Sequence, residues 1–301
     1  MTQLHITFVT TVYNRIESVR LQLESLRLQR ATPPYSLIMV DDGSTEDLRG
    51  LFQEYVQGAP GNRAYYCFPH GDPLLGVRAR NQGMRRVFKN TTHIWLTDGD
   101  IVFNPEAVRH AYRLIEERPG ILYGGRYDWM PRMRITCKDL QDRWDIFVAC
   151  ALPRLPMQSA PGGRQGKPGG YHLDPRRHWD CKQESTCGGS LLGSNMIIPI
   201  QAFKDTGGYD ENMPPACNAG DCEFGFHLGS LGYKISQCEC IRGYHLYHYR
   251  DARALTLGVR KGIVYIHDKY PWLPELDYKR HLPKLPPGIE DEWSHLDGSK
   301  R

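Results

Sequence analysis

The sequence predicts an α/β protein with a mostly parallel sheet and helices on both faces. Three observations predict it. Short apolar, β-branched runs alternate with stretches whose apolar residues recur at helical spacing. Polar and acidic groups gather where those runs end, at the edge where open α/β sheets hold ligands. The chain has 301 residues, 40% hydrophobic and 24% charged, enough to bury a large core.

Ile6 to Thr11 is the first strand, and Ile16 to Leu28 follows as a helix with Ile16, Val19, Leu23 and Leu26 on one face. Ser36 to Val40 is the next strand, stopping at Asp41-Asp42-Gly43-Ser44. Ser44 or Thr45 is the expected cap of a helix through Leu48, Leu51, Phe52 and Tyr55. Ala64 to Phe68 is a third strand, and Gly76 opens a basic helix through Val77, Arg78, Arg80, Asn81, Met84 and Val87. His93 to Leu96 is a buried strand that runs into Thr97-Asp98-Gly99-Asp100, and Pro105 starts another helix.

The second half is less regular. Pro153 to Gly170 is rich in Pro, Gly and basic residues, so a mobile loop is expected over about 153–170. Gly188 to Pro199 reads as a strand, Asp221 to Leu231 as a helix ending at Gly232, and Tyr233 to Ser236 as a strand. A histidine-rich segment, Tyr244 to Arg250, follows, and the tail is Pro-rich from Pro271. Residues 1–102 and 103–251 are expected to be two halves of one domain, with 252–301 as an extension.

A net charge of +4 is too mild to argue for nucleic acid and suits an anionic small molecule. No stretch approaches the roughly 18 apolar residues that span a membrane, which leaves only peripheral membrane contact open. Met1 to Arg15 lacks the pattern of a signal peptide, so a cytoplasmic location is expected. The nine cysteines are an odd number without disulfide spacing, which suits reduced thiols. Six fall between Cys181 and Cys240 without a Cys-x2-Cys pair. They are expected to pack as small hydrophobes, and a zinc site there stays open.

Asp98-Gly99-Asp100 is a compact anionic clip of the kind that holds a hard divalent cation, though Asp-Gly is also a common turn pair. Thr11 with Tyr13-Asn14-Arg15, Asp41-Asp42, and Arg78 with Arg80 fall at other strand ends or helix starts. In a parallel sheet these positions converge on one crevice, offering carboxylates for a base, ribose or metal and guanidinium groups for phosphate. No Gly-x-Gly-x-x-Gly fingerprint follows the first strand, which argues against a nicotinamide or flavin site. The plainer reading of Arg78, Arg85 and Arg86 is a solvated helix face; Arg80 alone is singled out.

Phe8 to Arg15, Val40 to Ser44, Ala79-Arg80-Asn81 and Asp98-Gly99-Asp100, in that order, resemble glycosyltransferases of the GT-A fold, close to family 2. The resemblance runs from about residue 4 to about residue 251. It implies a cleft for a nucleoside-diphosphate sugar, usually uridine-linked, and a hydroxyl acceptor such as a glycan, glycoconjugate or small molecule. By the resemblance Thr11 and Asp42 would contact the base, with Tyr13, Arg15 and Gly99 beside the nucleotide sugar. Arg80 would lie near base or phosphate, Asp98 would contact ribose or metal, and Asp100 would bind Mn²⁺ or Mg²⁺.

Gly207 to Glu211, Gly220 to Gly225 and His245 to Asp251 are similar to the C-terminal half of β-1,4-galactosyltransferases and chondroitin polymerases, and also to the retaining polypeptide N-acetylgalactosaminyltransferases. That likeness implies a hexosyl- or N-acetylhexosaminyltransferase. It puts His245 and His248 on metal-binding positions, and imidazole beside carboxylate favours Mn²⁺ over Mg²⁺. Asp221 matches the general base of inverting members. Gly220 replaces the usual first acid, with Glu223 as the nearest substitute, so a retaining outcome stays open. Asp221 and Glu223 lie two apart, so only one of them faces the cleft. A nucleotidyltransferase and a non-catalytic sugar-nucleotide module are the competing readings. Trp129, Trp144 and Trp179 are expected in the core rather than stacked on an acceptor sugar.

Overall fold

A computed structural model of the chain describes residues 3–30, 33–59, 61–69, 76–152, 193–249 and 251–271. The predicted loop at 153–170, the tail beyond 271, Trp179, Cys181, Cys187 and Arg250 lie outside the described residues.

The first half alternates as expected: β1 (Ile6–Val12), α1 (Ile16–Arg27), β2 (Ser36–Asp41), α2 (Leu48–Val56), β3 (Arg63–Cys67), α3 (Val77–Met84) and β4 (His93–Asp98). After β4 come β5 (Ile101–Phe103), α4 (Ala107–Glu117), β6 (Leu122–Trp129), α5 (Cys137–Asp142) and α6 (Trp144–Cys150). The last third holds β7 (Asn195–Pro199), α7 (Ile200–Thr206), α8 (Gly220–Ser230), β8 (Ile235–His245) and α9 (Ala252–Lys269). Among the described residues eight strands form one sheet in the order β3-β2-β1-β4-β7-β6-β8-β5. Strands β1 to β4 pair in parallel, as do β6 and β8, whereas β7 and β5 run antiparallel to their neighbours. Residue 102 lies within β5, so the sheet is continuous across the two predicted halves.

Strand β2 is buried along its whole length, as expected of a parallel strand covered on both faces. Alternation on β1 sends Phe8 and Val12 into one core, with Trp95, Phe103 and Leu23, and Val9 into another, with Val40, Leu96 and Phe224. Phe8 stacks on Trp95 at 4.5 Å between ring centres. Burying an aromatic ring of this size removes on the order of 150–250 Å² from water, so this pair anchors the sheet to α1 and α4.

Three expectations at element ends are corrected. The cap of α2 is Asp47, whose carboxylate accepts from the Gly50 amide at 2.8 Å. Ser44 instead donates its hydroxyl to Asp41 Oδ1 at 2.6 Å, and Thr45 donates to Asn14 Oδ1. Pro105 precedes the helix rather than opening it: α4 begins at Ala107, and the Pro105 carbonyl accepts from the Arg30 amide at 2.8 Å. The strand predicted over Tyr233 to Ser236 is the start of the much longer β8, which carries His245 to the sheet's edge.

Candidate active site

The topology turns at β1: β2 and β3 lie on one side of it and β4 on the other. Such a switch point opens a crevice at the carboxyl ends of the strands. Register brings the predicted residues level there, because Thr11 pairs with Asp98 on β4 and with Val40 on β2, just before Asp42. The Gly99 amide donates to the Thr11 carbonyl at 3.0 Å. A Cβ on Gly99 would stand 2.6 Å from Val12 Cγ1, so the clip approaches β1 too closely for any side chain between its two acids. On the buried face of α1, Gln22 donates to the Asp98 carbonyl at 2.5 Å and accepts from Thr10 Oγ1 at 2.9 Å.

Asp98 and Asp100 face different partners. Asp98 Oδ1 accepts from Arg80 Nη2 at 2.6 Å. The guanidinium also lies 3.8 Å from Asp221 Oδ1 and 5.6 Å from the Tyr209 ring centre. Burial works against the charge of Arg80, but Asp98 and Asp221 outweigh it and raise its pKa further. Asp221, at the start of α8, accepts from the Tyr209 hydroxyl at 3.2 Å. Burial raises the Asp221 pKa, Arg80 partly offsets this, and the Asp98 charge adds to it. A carboxyl made more basic in a cleft is suited to taking a proton.

Asp100 joins a second group. It is buried, and its Oδ1 has no hydrogen-bond partner among the described residues. Oδ1 lies 3.7 Å from His245 Nε2, and Oδ2 lies 3.3 Å from His248 Nε2 and 3.0 Å from Arg15 Nη1. Backbone bonds fix this geometry: Ile101 pairs with His245 across β5 and β8, and the Leu246 amide donates to the Asp100 carbonyl at 2.9 Å. His245 Nδ1 lies 2.9 Å from the Leu246 carbonyl and His248 Nδ1 lies 3.0 Å from the Tyr249 carbonyl. A carbonyl only accepts, so each ring carries hydrogen on Nδ1, and in its neutral form the imidazole turns an Nε2 lone pair towards Asp100. In that form lone pairs and carboxylate oxygens face one another, an arrangement that a cation relieves, as Arg15 does at Oδ2. One carboxylate and two imidazoles form a donor set that fits Mn²⁺. Trp129 packs on the His245 ring at 4.1 Å between centres, holding its orientation.

Several predicted residues stand apart from these two groups. Glu223 points away from the crevice and is fully buried, 2.6 Å from Lys269 Nζ and 2.7 Å from the Tyr270 hydroxyl on the far side of α8. The idea that it substitutes for the missing acid is therefore corrected, and the two-residue offset on the helix is the reason. Gly220 lies where α8 meets α3: a Cβ there would stand 2.9 Å from Val77 Cγ2, so a side chain at that position would force Val77 to shift. Asp98 is outside the cluster of Asp100, His245 and His248. Tyr13 and Arg78 are exposed, Asp42 is half-buried at the end of β2, and Asp251 caps α9. Arg85 is exposed against Glu211, and Trp144 packs against Phe147 and Tyr244.

Two further residues emerge from the structure. Tyr209 touches both Arg80 and Asp221, and its backbone is clasped by Asn81, which donates to its carbonyl and accepts from its amide at 2.8 Å each. The sequence signal is the Gly207-Gly208-Tyr209 turn beside Ala79-Arg80-Asn81. Gln22 is the second, a fully buried amide one turn before the buried Ser25 on α1.

Residues 7–135 match the family model "Glycosyl transferase family 2". The chain is 25% identical over 248 residues to a hyaluronan synthase of Pasteurella multocida, covering 80% of this chain and 24% of that protein. In fold it is similar to S. aureus TarS 1–349 solved with UDP-GlcNAc (15% identity, TM-score 0.57, 88% of this chain and 67% of that one). It is also similar to the mannosyltransferase PcManGT of Pyrobaculum calidifontis solved with GDP-Man and Mn²⁺ (12% identity, TM-score 0.58, 92% and 69%). The class that these findings define is one of fold and similarity: residues 7–135 are similar to family 2 glycosyl transferases, and the chain shares the GT-A fold of these transferase structures. It spans about a quarter of the length of the hyaluronan synthase and 40% of a longer TarS structure. Among the described residues no helix is long and apolar enough to cross a membrane.

Proposed function

We propose that the protein transfers a sugar from a UDP-sugar to a hydroxyl of a carbohydrate or glycoconjugate, in a reaction dependent on Mn²⁺ or Mg²⁺ and with inversion at the anomeric carbon. One observation carries this reading: Asp100, His245 and His248 converge beside a second group in which Arg80 spans Asp98 and Asp221. The UDP-GlcNAc bound to TarS and the GDP-Man and Mn²⁺ bound to PcManGT support it by analogy of fold.

Asp100, His245 and His248 would hold the metal, which when bound neutralises charge on the departing diphosphate. Thr11, Tyr13, Asp42 and Gly99 line the crevice for base and ribose, with Asp98 steadying ribose or a metal-bound water. Arg80 and Arg15 supply guanidinium groups for phosphate. Asp221 accepts the proton of the acceptor hydroxyl as that oxygen bonds to the anomeric carbon. The bond from that carbon to the diphosphate breaks, and UDP leaves with the electron pair.

The test is a UDP-release assay across UDP-sugars with and without Mn²⁺, with the product anomer read by NMR and Asp221→Asn as comparison. Metal-dependent release, an inverted anomer and a kcat loss of roughly 10²- to 10⁴-fold in Asp221→Asn support the reading. A retained anomer with full activity in Asp221→Asn overturns the assigned base. Full activity without any divalent metal overturns the metal dependence.

A further inference from the structure

We infer that Arg15 is an exchangeable counter-ion of the metal site, which makes binding of the metal and of the donor diphosphate depend on one another. The inference rests on the metal-dependent reading above and deepens it. Arg15 Nη1 lies 3.0 Å from Asp100 Oδ2, the same oxygen that faces His248 Nε2 at 3.3 Å. Asp100 is 7% exposed at its side chain and Arg15 is 48% exposed, so a buried carboxylate is matched by a guanidinium with room to move.

The backbone commits Arg15 to this place. Asn14 and Arg15 both adopt left-handed conformations, with φ of 52° and 63°. Such geometry costs a residue with a Cβ free energy and persists where neighbours over-determine it. Here the neighbours are specific. The Asn14 amide donates to Ser44 Oγ at 2.7 Å, Asn14 Oδ1 accepts from the Thr45 amide at 2.8 Å, and the Ile16 amide donates to Glu46 at 2.8 Å. The loop after β2 therefore holds the turn that aims Arg15 at Asp100.

A divalent cation seated on Asp100, His245 and His248 repels a guanidinium on the same carboxylate oxygen, so binding metal alone separates Arg15 from Asp100. Binding a diphosphate alone does likewise, because Arg15 leaves Asp100 unpaired when it turns to phosphate. When both ligands bind, the separation is incurred once and each charge has a new partner. The two ligands are then positively coupled, and the coupling is reciprocal.

The test is Mn²⁺ titration by electron paramagnetic resonance, without and with UDP, on wild type, Arg15→Met and Arg15→Lys, with Asp100→Asn as control. Arg15→Met is expected to bind Mn²⁺ alone on the order of tenfold more tightly, within the usual span of coupling factors. The factor by which UDP tightens Mn²⁺ should shrink in that variant, and Arg15→Lys should return towards wild type. Mn²⁺ affinity that is unchanged or weaker in a folded Arg15→Met overturns the inference while leaving the metal site standing. Mn²⁺ binding that survives in Asp100→Asn at wild-type strength overturns the metal reading itself.

Discussion

The Tyr209 hydroxyl donates to Asp221 Oδ1 at 3.2 Å, while the ring of the same tyrosine lies beneath Arg80. One side chain thus touches both the proposed base and the cation that tempers it. Burial raises the Asp221 pKa, whereas Arg80 and the tyrosine hydrogen bond lower it. The acidic limb of kcat/KM is expected above the ordinary carboxylate value of 3.8. Tyr209→Phe removes a hydrogen bond to the ionised form, so the limb should move to still higher pH. A pH–rate profile with the same limb in both proteins would count against Asp221 as the base.

Asp100→Asn keeps the shape of the side chain and removes the charge that faces both imidazoles. Mn²⁺ binding and sugar transfer should both be lost, with the melting temperature in the absence of metal close to wild type. The check is calorimetry alongside the UDP-release assay. Wild-type turnover in this variant would sink the assignment of Asp100 as ligand.

Lys269 on α9 joins Asp210 and the fully buried Glu223, each at 2.6 Å. Removing one partner of a buried pair strands the other charge, so Lys269→Met should cost about 3 kcal/mol. Lys269→Met combined with Glu223→Gln should recover part of that loss, and Glu223→Gln alone should still transfer sugar. Burial pushes the Asp210 pKa up, but Lys269 and Tyr265 overcome this and bring it down to about 2. A depressed folded pKa gives stability that is present above 3.8 and lost as pH falls towards 2. Denaturant midpoints across that range in wild type and Lys269→Met measure the effect, which should be smaller in the variant.

Gln22 is not among the predicted site residues, yet its amide holds the Asp98 carbonyl. Gln22→Leu leaves the Thr10 hydroxyl without this acceptor and the Asp98 carbonyl with only the longer bond from Thr97 Oγ1, at roughly 1–3 kcal/mol. Mn²⁺ affinity should fall as the clip loosens, while Arg15→Lys, which leaves this network intact, should retain it. Unfolding curves and metal titration on the same preparation separate the two effects.

The first-half strands and the acidic clip were legible because period and strand-end chemistry are local properties. Asp221 and Glu223 were separable in principle for the same reason, since a two-residue offset on a helix divides them between faces. What covers the far face was not legible: the Lys269 and Tyr270 that bury Glu223 come from α9, which no short-range pattern ties to α8. Capping at Asp47 rather than Ser44 has a similar cause. Ser44 serves Asp41 and Asn14 from two other segments, and such contacts leave no periodic trace.

The histidines that face Asp100 arrive only with β8, whose last residue pairs with Ile101 across a strand added at the edge of the sheet. A chain emerging in order therefore carries the Asp98-Gly99-Asp100 clip long before it has the imidazoles beside it. Closing that distant pair is a late, non-local event of the kind that slows folding. Under the metal dependence proposed above, uptake of Mn²⁺ during refolding would time the seating of β8 against β5, making the metal a clock for that edge of the sheet.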